Sequence, residues 1–197
     1  MGTAAVETKG ERTRRRILDA AVAHFAAVGL DQGSVPEIAR QVGVSHSALY
    51  QHFGRKEELF RAAVDADLTA LLDEVAPHLD ATAPTARSLT ALAVDLVGAT
   101  TTHPLARRVL ANLDGEQAEV LRDLPALRRL QRRLEQAVRT GQAAGAVRRD
   151  LRPGVTAEGL MTVSLALLAM AIRLEGHEFP RADAAVRFLT EVLRPVT

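Results

Sequence analysis

Apolar residues recur at helical spacing along almost the whole chain, and no stretch sustains the alternation of a half-buried strand. Ile17, Leu18, Ala21, Val22 and Phe25 mark one face of a first helix, with Gly29 placed to stop it. Ser34-Val35-Pro36-Glu37 reads as a capping box opening a second helix: the Ser34 hydroxyl takes the Glu37 N–H, and the Glu37 side chain reaches back to Ser34. Pro36 falls in the first turn, where its missing N–H is harmless. Ile38, Ala39 and Val42 give that helix a short inner face. Gly43 interrupts it, Ser45 is a second N-cap candidate, and Leu49 and Phe53 face inward from a third short helix that Gly54 ends. A longer helix starts near Lys56, with Leu59, Phe60, Ala63, Val64, Leu68, Leu71, Leu72 and Val75 along its apolar side.

Five more helical segments are predicted, at 88–101, 104–113, from Pro125 onward, at 156–175 and at 183–193, with 148–154 as a loop. The fold class is therefore all-α. The 156–175 segment is apolar nearly all round, as expected of a central helix shared between core and dimer seam. Its apolar run, 160–172, is shorter than the roughly 20 residues a bilayer needs. With no apolar leader visible in residues 1–9, the expectation is a soluble, cytoplasmic protein.

Composition narrows the chemistry. The chain has 197 residues, 47% of them hydrophobic, enough for a sizeable core. It has no cysteine, which rules out disulfides, thiolate metal sites and cysteine nucleophiles. Six scattered histidines form no i, i+4 pair, so no metal and no cofactor is expected. No nucleophile–base grouping and no phosphate-binding glycine loop stands out, so an enzyme is not expected. Net charge is only +1, but Lys9, Arg12, Arg14, Arg15 and Arg16 place five positive charges in eight residues. Such a cluster is either a solvated face or a phosphate-contacting arm.

Residues 34–54 have the makings of a helix-turn-helix. The first helix must brace the second through small apolar faces, which Ile38, Ala39, Val42, Val44 and Leu49 supply. The turn needs a residue tolerant of positive φ, and Gly43 is there. The second helix must offer short polar side chains to base edges, and His46, Ser47, Tyr50 and Gln51 are placed to do so.

The segment 14–59 resembles the N-terminal module of the TetR family. The likeness runs through Ile17-Leu18-Asp19-Ala20-Ala21, Phe25, Gly29, Ile38-Ala39, Gly43-Val44-Ser45, Leu49-Tyr50-Gln51-His52-Phe53 and Lys56-Glu57-Glu58-Leu59. The resemblance implies a three-helix DNA-binding domain over 1–55 and a helical ligand-binding and dimerisation domain over 56–197. It implies phosphate contacts from Tyr50, His52 and Lys56 and base contacts from Ser45, His46 and Ser47. Arg14, Ser34 and Gln51 complete the expected DNA-binding set. Ser47 stands where the family often has glycine, and Arg55 where it often has Ser, Asn or Asp, so Arg55 forgoes a side-chain cap.

Further expectations follow from the same likeness. The chain is expected to be a homodimeric repressor that binds palindromic operator DNA and leaves it when a small apolar effector binds. The alternative is a DNA-binding regulator without a small-molecule effector. The last two helices should form the dimer seam, through Leu160, Val163, Leu167, Val186, Leu189, Val192 and Leu193. An effector cavity is expected from Leu92, Leu96, Leu110, Leu113, Leu134, Leu167 and Met170, with His103, Arg107 or Arg173 fixing a polar end. The effector should act through the helix that begins at Lys56, the one long element expected to join the reading head to the body.

Overall fold

The computed structural model describes residues 8–79, 85–112, 121, 123–174 and 182–195. Nine α-helices are present among them: α1 (Lys9–Gln32), α2 (Val35–Val42), α3 (His46–His52), α4 (Lys56–Val75), α5 (Ala86–Ala99), α6 (Pro104–Leu110), α7 (Pro125–Ala143), α8 (Pro153–Arg173) and α9 (Ala182–Leu193). A 3-10 turn, Ala76–His78, follows α4. No strand occurs among the described residues, so the all-α expectation holds.

Boundaries moved where a terminus depends on a cap rather than on apolar spacing. α5 begins two residues before Ser88 because Thr85 is its N-cap and Ser88 closes the box, donating to the Thr85 carbonyl and accepting its N–H. α8 starts at Pro153, inside the expected loop, since proline's fixed φ suits the first helical turn. α6 ends at Leu110, three residues early. α1 runs past Gly29, but helical geometry breaks there, at φ 80° and ψ −177°. Gly29 thus does interrupt the helix, and a last turn resumes beyond it.

α1 packs on α2, α4 and α6; α4 also meets α5, α6 and α7; α8 lies between α5 and α7; and α9 lies on α5. One continuous apolar core runs from Ile17 to Leu193. Phe25 of α1 and Phe60 of α4, both fully buried, meet edge to face at 5.1 Å between ring centroids. Burying such aromatics contributes about 1.5–3 kcal/mol each by area.

Polar side chains on α4 hold the body helices. α6 and α7 both begin with proline and have no side-chain cap of their own. Asp67 accepts the N–H groups of Leu105 (3.0 Å) and Ala106 (2.8 Å) at the start of α6. Asp65 accepts the Ala126 N–H (2.7 Å) at the start of α7. Negative charge at these N-termini also meets the positive ends of the helix dipoles. α4 therefore caps two neighbours from outside, satisfying donors that would otherwise be orphaned.

Candidate nucleic-acid interface

The turn between α2 and α3 is built from local bonds. Gly43 sits in the left-handed region (φ 70°, ψ 34°); its N–H donates to the Arg40 carbonyl and the Val44 N–H to the Ala39 carbonyl. This closes α2 as a Schellman motif, which requires the left-handed residue. Ser45 then caps α3, its hydroxyl accepting from the Ala48 N–H (3.1 Å). Leu49 is wholly buried, and α3 packs on α2 by this inner face.

The outer face of α3 is left to solvent. His46, Ser47, Tyr50 and Gln51 are all exposed, and His52 is half-buried. The His46 and Tyr50 rings meet edge to face at 4.7 Å between centroids, and the Ser45 and Ser47 hydroxyls lie 3.1 Å apart. The side chains are thus arranged as a row of donors and acceptors on a helix narrow enough for a major groove.

The bracing of this face comes largely from α1, by contacts absent from the sequence expectations. The Arg16 guanidinium donates to the Val42 carbonyl (2.7 Å), closing the end of α2. Arg14 lies over the Phe53 ring at 4.7 Å, a cation–π contact at the end of α3. His24 Nε2 accepts the Ser34 N–H (3.0 Å). That corrects the capping box. Ser34 does accept from Glu37, at 3.4 Å, but the return bond comes from His24, while the Glu37 carboxylate takes Arg40 (3.2 Å). The imidazole reaches over from α1 because that helix packs across the start of α2. α3 also ends at Phe53 in extended conformation, with Gly54 in the following bend.

At the start of α4, Arg55 provides no side-chain cap, as expected. Glu58 reaches back to the Gly54 N–H (3.1 Å) and also pairs with Arg55 (3.1 Å). The Lys56 ammonium donates to the Asp31 carbonyl (3.0 Å) in the last turn of α1. Within the basic stretch, the acid Glu11 faces the helix's own start: its carboxylate accepts from the Thr8 N–H and hydroxyl. Those two bonds hold its pKa below the usual value, the backbone bond contributing most.

Residues 17–63 match the family described as bacterial regulatory proteins, tetR family. The likeness to the TetR family is thus established for this N-terminal module, 47 of the 197 residues. The matched span includes all of α2 and α3 and runs into α4. Among curated TetR-like relatives, the HTH-type transcriptional regulator SrpR of Pseudomonas putida is 41% identical over 56 residues, 28% of this chain and 26% of that one. The uncharacterized HTH-type transcriptional regulator TtgW, from the same species, is 39% identical over 56 residues, 28% of this chain and 42% of that one. The matches thus span less than half the length of these relatives. A structure described as a TetR-family regulator of Mesorhizobium loti superposes with a TM-score of 0.71 at 24% identity, covering 95% of this chain and all of the other. Bacillus subtilis FadR, solved in complex with stearoyl-CoA, gives 0.70 at 17% identity, over 91% of this chain and 99% of the other. At these identities the structural likeness is one of fold.

The expected effector residues differ in their exposure. Leu96, Leu110 and Leu134 are buried in the core, Leu167 is half-buried, and Met170 and Arg173 are exposed on α8. The Leu92 side chain and Leu113 lie outside the described residues. Arg173 donates to the Ala111 carbonyl (2.7 Å), just past α6, and Arg107 reaches Thr100 Oγ1 at 3.5 Å. His103 bridges two acids of α4, with Nδ1 3.1 Å from Asp67 and Nε2 3.3 Å from Glu74. A cleft of about 610 Å³ between α5 and α9, lined by residues including Arg87, Thr90, Ala91, Asp95, Arg187 and Thr190, includes none of the expected effector residues; it does include Val186 of the expected seam.

The seam residues divide in the same way. Leu160 and Leu193 belong to the protomer core, at 4% and 2% exposed. Val163, Leu167, Val186 and Leu189 are half-buried, and Val192 is exposed. α8 is long and apolar enough to cross a membrane by length and composition, yet it packs between α5 and α7. Its outward stripe is instead Val155, Gly159, Thr162, Ala166 and Met170, at spacings of four, three, four and four. On α9, Phe188 stands 67% exposed beside Val192.

Proposed function

We propose that the chain is a sequence-specific, DNA-binding transcriptional repressor that acts as a homodimer. The observation that supports this most is the α3 face: His46, Ser47, Tyr50 and Gln51 are exposed together while Leu49 locks the opposite face. A rigid helix with only its polar face presented is what direct readout of base edges needs. His46 and Ser47 read bases; Tyr50, His52 and Lys56 bind phosphates. In this reading Lys56 leaves the Asp31 carbonyl for the backbone phosphate. Ser34 and Ser45 serve as helix caps.

One short helix reads too few bases for selectivity, so two copies must act together. The outward stripe of α8, with small side chains at Gly159, Thr162 and Ala166, allows close approach of a second copy, and Phe188 of α9 extends that face. The reading head comprises 1–55 with the start of α4, and the rest forms the body.

An apolar effector that binds the body and releases the DNA completes this reading. It is supported by the fold shared with a regulator solved with an acyl-CoA. The effector must favour the DNA-incompetent state, with coupling of about 1–3 kcal/mol.

Random-sequence selection with the pure protein tests the core of the proposal. An enriched, roughly palindromic site is expected, with His46→Ala changing the preferred sequence and Tyr50→Phe weakening binding to all sequences. Failure to enrich any site would end the direct-readout reading. Release of the selected duplex by fatty acids or acyl-CoA thioesters tests the effector separately.

A further inference from the structure

α4 is not the only element joining the reading head to the body. α6, seven residues long, also rests on α1, and Arg108 makes a polar tie between them. Arg108 Nη1 donates to the Ala26 carbonyl (3.2 Å) and the Ala27 carbonyl (3.4 Å). These carbonyls precede the Gly29 break, in the last regular turn of α1, where carbonyls lose their intrahelical partners. The guanidinium lies directly over Gly29: a Cβ added there would come within 2.9 Å of Arg108 Nη2. A positive charge at the end of this helical stretch also complements its dipole.

The other contacts of α6 give this tie a direction. Its first turn is held by Asp67 of α4, and the residue after it, Ala111, is bonded by Arg173 of α8. α1 in turn holds both helices of the DNA-reading unit, through Arg16 on Val42 and Arg14 on Phe53. A continuous set of bonded contacts therefore runs from α8 through α6 and α1 to the ends of α2 and α3.

We infer that Arg108 is a positioning residue that seats α1 on α6, so that DNA occupancy of α3 is transmitted to the body by a path separate from α4. The inference rests on the DNA-binding reading above. It assigns Gly29 a matching role: the residue is glycine both for its φ of 80° and because the guanidinium occupies the space of a side chain.

Operator DNA itself serves as the probe, so no effector is required. Amide hydrogen exchange of the full chain would be measured with and without the duplex obtained by selection. In the wild type, duplex binding should change exchange across Leu105–Leu110 by about fivefold or more, the low end of ordinary site-to-site coupling. Arg108→Gln should still bind the duplex within about tenfold of wild type, with the response lost from α6 and kept in α2 and α3. Arg108→Lys, which retains a charged donor, should restore part of it; a merely structural loss would not be rescued this way. Gly29→Ala should uncouple α6 from the other side. An α6 response equal in wild type and Arg108→Gln, or absent in both, overturns the inference. If no duplex is bound at all, which the selection alone reveals, the DNA-binding reading fails and this one falls with it.

Discussion

Replacing Asp67 by alanine should destabilise the protein far more than its single charge suggests. The carboxylate is 8% exposed and accepts two backbone N–H groups at the start of α6, while its other oxygen faces His103 Nδ1. His103 provides no cap and Pro104 has no N–H, so nothing local replaces the lost acceptor. Each buried donor left without a partner costs about 1–3 kcal/mol, and loss of a helix cap alone costs about 0.5–2 kcal/mol. A total near 3 kcal/mol follows, a large share of the roughly 5–15 kcal/mol that a fold of this kind has. For a chain of this length each kcal/mol moves the midpoint by about 2–4 °C, giving a fall in Tm of about 6–12 °C. Asp67→Asn keeps one acceptor oxygen and should lose about half as much. Asp73→Asn is the control. That carboxylate is 67% exposed and pairs with Arg133 at 3.3 Å, so its loss should cost under about 0.5 kcal/mol. Calorimetry and urea unfolding at one fixed protomer concentration provide the comparison, since the proposed dimer would make Tm concentration-dependent. If Asp67→Ala lowers Tm no more than Asp73→Asn does, α4 is not holding α6 by this carboxylate.

Gly43→Ala should cost about 1 kcal/mol, all of it backbone strain, because a Cβ there meets nothing within 4 Å; a drop much above that in urea unfolding would reveal an unseen clash. Phe188→Asp removes an exposed ring and should leave each protomer folded while shifting sedimentation from dimer to monomer; an unchanged dimer would place the seam elsewhere. Lys56→Ala should weaken binding to every DNA sequence alike and reduce the salt slope by about one unit, whereas a change in the selected sequence would mean that Lys56 reads bases. The Glu11 pKa is lowered, so its cap on Thr8 is present above the ordinary value of 4.5 and is lost as pH falls through the lowered one. NMR at falling pH should therefore show the first turn of α1 fraying in acid, and Glu11→Gln should fray it already at neutral pH.

Much of what neighbours in the chain decide is legible in the sequence, although the Thr85 cap of α5 and the Pro153 start of α8, equally local, emerged only from the structure. The helices are announced by apolar spacing, the turn by Gly43, and the start of α3 by Ser45, because a cap or a left-handed residue acts within four positions of itself. The outward row on α3 was legible for the same reason: with Leu49 inward, helical periodicity turns His46, Ser47, Tyr50 and Gln51 the other way. The family likeness lay in these same local blocks.

Contacts between distant positions needed the tertiary structure. His24 displaces Glu37 from the Ser34 N–H, Asp65 and Asp67 cap helices 61 and 38 residues away, and Arg108 ties itself to Ala26 across 82. Nothing at those positions differs in kind from an ordinary surface acid or arginine; only packing brings an orphan donor or carbonyl within reach. α8 shows the limit most clearly. A helix apolar nearly all round has no polar side to say which way it faces, so periodicity alone offers Leu160 and Val155 equally to a partner. The packing of α5 and α7 on α8 decides between them, burying Leu160 and leaving Val155, Gly159, Thr162, Ala166 and Met170 outside.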